Sequence, residues 1–143
     1  MKHHYIGLYF KRIFQIMEKN MNKQLEKIDL TSMQATIIIY IFKSNKTINQ
    51  RDIEKRFNLS NPTVNGILNR LEKKQFIERI TSKTDARNKE IHLTDKSIEL
   101  NKEMIKRADM MEEKIKKDIS KEELKTFYIV MDKILKNIEG DEQ

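Results

Sequence analysis

The chain has 143 residues and a mass of 17.2 kDa, enough for one ordinary hydrophobic core and too little for two. With Cys 0, Gly 3 and Pro 1, disulfide scaffolds, thiolate metal sites, thiol redox switches and collagen-like or linker-rich chains are excluded. Lys+Arg 29 against Asp+Glu 22 leaves a net charge of +7, a balance that suits a polyanionic partner.

Tyr5 to Ile28 carries Ile6, Phe10, Ile13, Met17, Met21, Leu25 and Ile28 at three- and four-residue steps, which predicts a long amphipathic helix. Thr31 and Gln34 have capping-box spacing and open a second helix. Its run Met33 to Phe42 is apolar nearly all round, so this helix is expected to be the most buried. Asn49 suits the N-cap of a short third helix, Gln50 to Phe57, with Ile53 and Phe57 facing inward. After the tight connection Asn58-Leu59-Ser60, Asn61-Pro62 starts a fourth helix, since proline fits the first helical position. Val64, Ile67, Leu68 and Leu71 form its apolar face, and Thr63, Asn65, Gly66, Asn69, Arg70 and Lys73 lie opposite.

Beyond Gln75 the period shifts toward two. Phe76 to Ile80 and Glu90 to Leu93 read as the two strands of a ribbon whose tip, Thr81 to Lys89, is basic and turn-forming. Thr94 can cap a fifth helix reaching about Lys117, with an apolar stripe of Leu100, Met104, Ala108, Met111, Ile115 and Ile119. Ser120 and Glu123 repeat the capping-box spacing before a sixth helix that carries Leu124, Phe127, Ile134, Leu135 and Ile138. The long stripes at both ends suggest helices that pack together and against a second copy of the chain.

The charge is concentrated. Lys43 to Glu90 holds about 12 basic and 6 acidic side chains, whereas the flanks nearly cancel. That basic third contains a short helix, a tight turn, a second helix with a small polar outer side, and a basic hairpin. This is the order of a helix-turn-helix followed by a wing. In such a module the second helix enters the major groove, where Asn and Arg read base edges and Thr meets a thymine methyl group. A cationic hairpin tip suits the adjacent minor groove. Asn61, Thr63, Asn65, Asn69 and Arg70 are therefore the candidate DNA contacts of the helix, and Lys83, Arg87 and Lys89 those of the wing.

At this point the chain resembles the MarR family of winged-helix transcriptional regulators. The likeness rests on Leu30-Thr31 with Gln34, Asn49-Gln50, Leu71-Glu72-Lys73-Lys74, Asp85-x-Arg87-x-Lys89-x-x-x-Leu93-Thr94 and Ser120-x-Glu122-Glu123-Leu124. It implies a mainly α (α+β) fold with about six helices and a two-strand wing. Residues 30–97 would form the DNA-binding domain, and residues 1–29 and 98–143 the dimerisation helices. It further implies a homodimer, in many members a repressor, on a pseudo-palindromic operator of double-stranded DNA; the cytoplasmic location is expected from the sequence itself, which offers neither a membrane span nor a signal-peptide core. Arg87 would enter the minor groove and Asp85 would orient the wing. A small anionic or aromatic effector is also implied, with Tyr9, Phe14, Met17, Met33 and Tyr40 as candidate pocket residues. Family members often carry a basic residue where this chain has Gly66, glycine where it has Gln75, and a second arginine where it has Ala86.

Other functions find less support. Nothing resembles a glycine-rich phosphate cradle, an HExxH helix or a G-x-S-x-G elbow, so an enzyme is not expected and no cofactor is implied. His3 and His4 are adjacent and lack the i, i+4 spacing of a metal clamp, so no metal site is expected. The longest apolar run, Ile37 to Phe42, is too short to span a bilayer, and Tyr5 to Phe10 is too short for a signal-peptide core. The rival reading is a helical scaffold whose basic middle segment binds an acidic protein, but a scaffold has no use for a basic hairpin after a groove-sized helix.

Overall fold

A computed structural model describes residues 5–82 and 89–140. Among these residues the order is α1 (Ile6–Glu26), α2 (Ser32–Lys43), β1 (Ile48–Asn49), α3 (Gln50–Phe57), α4 (Asn61–Lys73), β2 (Ile77–Thr81), β3 (Lys89–Leu93), α5 (Asp95–Lys116) and α6 (Lys121–Glu139). The chain divides into two compact units, Met1–Glu103 and Met104–Gln143.

In the first unit, local chemistry sets the helix starts. The backbone N–H of Gln34 donates to Thr31 Oγ1 at 3.2 Å while that of Thr31 donates to Gln34 Oε1 at 3.0 Å, the reciprocal box expected at α2. Asn49 and Asp52 form a second box at α3, with both bonds at 3.0 Å. At α4 the cap is Ser60, whose hydroxyl accepts from the Thr63 N–H, and Asn61 is already helical. The expected start at Asn61-Pro62 thus moves back one residue, because a serine hydroxyl satisfies the first-turn donors better than the pre-proline bias resists helix.

α2 buries Gln34, Ala35, Ile37 and Ile38, the most of any described helix. With Ile53 of α3, Val64, Leu68 and Leu71 of α4, and Ile48, Ile77 and Ile91 of the sheet, these side chains form one core. Ile67, placed on the apolar face, is only half-buried. The Tyr40 ring meets Phe57 edge-on, with centroids 5.5 Å apart.

The sheet has three strands, in the order β1-β3-β2, all antiparallel. The hairpin β2–β3 is the expected ribbon, and β1 adds a short strand by pairing Ile48 with Ile91 and Asn49 with Glu90. Thr94 and Ser97 lace the start of α5 to the end of α4. Thr94 Oγ1 donates to the Gln75 carbonyl at 2.7 Å, and Ser97 Oγ donates to that of Phe76. α5 buries Ser97 and Asn101 rather than its apolar stripe: Leu100, Met104 and Met111 are half-buried, Ala108 and Ile115 are exposed, and Ile119 falls beyond the helix end.

In the second unit, Ser120 and Glu123 complete the expected capping box of α6. Among the described residues none of α6 is buried, and Phe127, Tyr128, Ile129, Val130, Leu135 and Ile138 stand exposed. No helix of the described residues is long and apolar enough to cross a membrane.

Candidate nucleic-acid interface

The outer side of α4 is built by helix periodicity. Val64, Leu68 and Leu71 turn inward, so Asn65, Asn69 and Glu72, at i, i+4 and i+7, line up along one edge, the two asparagines exposed and Glu72 half-buried. Thr63, Arg70 and Lys73 are exposed beside them. A Cβ added to Gly66 would meet nothing within 4 Å, so no packing inside the fold requires glycine there.

At the helix start the candidates are tied into local bonds. Asn61 Nδ2 donates to Glu54 Oε1 at 2.8 Å, Gln50 Nε2 donates to the same oxygen at 3.1 Å, and the Thr63 hydroxyl lies 2.8 Å from Ser60 Oγ. Glu54 thus braces the turn between α3 and α4 from both sides.

At the wing base, strand alternation puts Ile77 and Arg79 on the sheet face toward the helices, cross-strand from Leu93 and Ile91, while Glu78 and Ile80 turn out. Ile77 joins the core. Arg79 on the same face is only 17% exposed along its side chain and reaches Glu72, with Nη2 to Oε2 at 2.6 Å. Its side chain also donates to Asn65 and Asn69. The hydrogen bond from Arg79 holds the Glu72 carboxyl below the usual carboxylate range, against a smaller opposing effect of burial. Lys89 is exposed on β3, opposite Thr81.

Asn61, Thr63, Asn65, Asn69 and Arg70 therefore share α4 and face away from the core, with Lys89 on the neighbouring hairpin. Lys83, Asp85, Ala86 and Arg87, together with His3 and His4, lie outside the described residues. Of the effector candidates, Tyr9, Phe14 and Met17 are exposed on α1 and Met33 on α2, while Tyr40 is half-buried against Phe57. Two grooves of the first unit draw on other residues. One, of about 380 Å³, is bounded by Ile28, Phe76, Lys96 and Leu100, and the other, of about 650 Å³, by Glu72, Ile77, Thr94 and Lys96. Among the described residues no group of three or more His, Asp or Glu side chains converges as a metal site would.

Sequence reasoning missed Arg79, Glu72 and Ser60 as parts of this surface. For Arg79 one signal was available, an arginine at an inward parity of a half-buried strand, where an unpaired cation is not tolerated.

The MarR family model matches residues 30–89. HTH-type transcriptional regulator SarZ of Staphylococcus haemolyticus is 33% identical over 99 residues, 69% of this chain and 65% of that protein. Just under two thirds of that relative's length is thus covered. HTH-type transcriptional regulator MgrA of Staphylococcus aureus is 28% identical over 114 residues, 80% of this chain and 76% of that protein. Among solved structures, MepR, a transcription regulator of the Staphylococcus aureus multidrug efflux pump MepA, matches with a TM-score of 0.84 at 27% identity, covering 94% of this chain and 99% of that one. MepR in complex with DNA matches with 0.81 at 28% identity over 92% and 98% of the two chains, and MepR bound to ethidium bromide with 0.73 at 28% over 94% and 97%.

Proposed function

We propose that the chain is a member of the MarR family and, on that premise, a homodimeric, sequence-specific DNA-binding transcriptional regulator, a cytoplasmic repressor. The observation that carries this reading is the exposed polar edge of α4 standing beside the β2–β3 hairpin, in the third of the sequence that holds nearly all the net charge. The DNA complex of MepR supports the same use of this surface.

α4 lies in the major groove. Asn65 and Asn69 read base edges, Thr63 meets a thymine methyl group, and Asn61 and Arg70 contact the groove walls. Lys83 and Lys89 neutralise phosphates, Arg87 enters the minor groove and Asp85 orients the wing. Residues 30–97 are the DNA-binding domain. Residues 1–29 and 98–143 are the dimerisation helices, a reading supported by the many large apolar side chains that α1 and α6 each leave exposed in the single chain. The ethidium complex of MepR supports a small aromatic effector, here held by Tyr9, Phe14, Met17, Met33 and Tyr40.

Selection of bound duplexes from a random pool, followed by footprinting, tests the reading. Two protected regions with centres about one helical turn (roughly 10 bp) apart are expected. A single unpaired region contradicts the dimer. Arg87→Ala should weaken binding most on duplexes with A·T-rich flanks, and unchanged affinity in a gel-shift titration removes the wing tip from the mechanism.

A further inference from the structure

Arg79 belongs to the wing by sequence and to α4 by its contacts. Its Nε donates to Glu72 Oε2 at 3.1 Å, and the Arg79 backbone N–H donates to Glu72 Oε1 at 3.3 Å. Nη1 donates to Asn65 Oδ1 at 3.2 Å, and Nη2 donates to both Glu72 Oε2 at 2.6 Å and Asn69 Oδ1 at 2.5 Å. A guanidinium has donors and no acceptor, so the amide atom that faces it must be the carbonyl oxygen. Both asparagines are thereby turned the same way, oxygen toward Arg79 and NH₂ group away from it.

That orientation bears on base readout. An asparagine recognises adenine with both ends of its amide, accepting from N6 and donating to N7. An amide whose oxygen is drawn to a cation alongside the helix must leave that cation to do so. We propose that Arg79 is a positioning residue that sets the polarity of recognition. It holds Asn65 and Asn69 as hydrogen-bond donors, so that α4 selects acceptor edges, guanine O6 and N7 or thymine O4, over the mixed edge of adenine. The proposal rests on the DNA-binding reading above. Glu72 completes the device: its carboxylate neutralises Arg79 and keeps the guanidinium on the helix instead of on a phosphate. A tether between strand and helix needs only the Arg79–Glu72 pair, so the capture of two asparagine oxygens is additional to it.

The test compares duplexes enriched from a random pool by the intact protein, by Arg79→Lys, and by the double variant Asn65→Asp with Asn69→Asp. Base frequencies are read at the positions that footprinting places under α4. The unaltered protein should favour guanine or thymine over adenine there by roughly tenfold. Lysine keeps the charge but cannot hold three oxygens in one plane, so the preference should fall to within about twofold as the amides turn freely. The aspartates keep acceptors for Arg79 and lose every donor, so that variant should shift toward cytosine, whose N4 donates. It does not depend on releasing the wing, and it decides the matter if thermal unfolding shows Arg79→Lys to be unfolded. An unaltered protein that enriches no sequence defeats the DNA-binding reading and this proposal together. If it enriches adenine, if Arg79→Lys keeps the same preference at uniformly lower affinity, or if the aspartates leave that preference unchanged, the polarity proposal falls and the DNA-binding reading stands.

Discussion

Gln75 occupies a backbone position made for glycine. Its φ is 61°, in the left-handed region that costs a residue with a Cβ about 1 kcal/mol or more. The conformation ends α4 in a Schellman motif, with the N–H of Phe76 donating to the Leu71 carbonyl and that of Gln75 to the Glu72 carbonyl, each at 2.9 Å. Gln75→Gly should therefore raise stability by roughly 0.5–1 kcal/mol, the relief of strain less the entropy glycine loses on folding. For a chain of this size that is a rise in Tm of about 1–4 °C, and a lower Tm would contradict the account. Gly66 is the opposite case. It has no positive φ and open space where its Cβ would point, so Gly66→Ala should stabilise the helix by about 1 kcal/mol. If α4 approaches DNA closely at this point, the same substitution weakens binding while raising Tm. An alanine variant that gains stability and keeps its affinity would show that the missing side chain has no role in the groove.

The elements differ in how far the sequence announces them, and the reason is the range of the interactions that fix them. The boxes Thr31–Gln34 and Ser120–Glu123 are local chemistry between residues three apart and are legible from spacing alone. So is the inward face of α4, where Leu68→Ala should cost about 2–5 kcal/mol in denaturant unfolding because the site is fully buried. β1 is two residues long, has no period to read, and exists only because Ile48 meets Ile91 more than forty positions later. The Arg79 clamp likewise joins a strand to a helix across a turn that hides their neighbourhood. Of the candidate site, the exposed residues of α4 were legible from periodicity, whereas the bonds that orient them were not. The clamp also has a pH signature. Glu72 binds its proton less readily folded than unfolded, so the stability it confers is complete above the ordinary carboxylate pKa of about 4.3 and is lost as pH falls through the lower folded value. Acid unfolding of Glu72→Gln should accordingly lack part of the pH dependence seen below pH ~4, while the two proteins run parallel from there to neutrality. Identical acid profiles would place the pair outside the energetics of the fold.

For the whole molecule, charge and apolar surface make linked demands. On the proposed reading the basic middle would give each subunit a set of phosphate contacts, and log K would fall by about 0.9 per phosphate neutralised as log salt rises. α1 and α6 leave large apolar side chains exposed, and in the proposed dimer a second copy would cover them and bring a second winged module. Pairing and salt dependence are then coupled: a dimer that seats both modules should show about twice the salt slope of a variant unable to pair. Phe127→Glu puts a charge on an exposed apolar side chain of α6, far in sequence from the winged module. It should lower the sedimenting mass to the 17.2 kDa of one chain and halve the salt slope. The two protected regions of the footprint should shrink to one, while the helix content of the winged module persists in circular dichroism. A Phe127→Glu protein that remains paired, or a single chain that still protects two half-sites, would mean that α6 does not hold the subunits together.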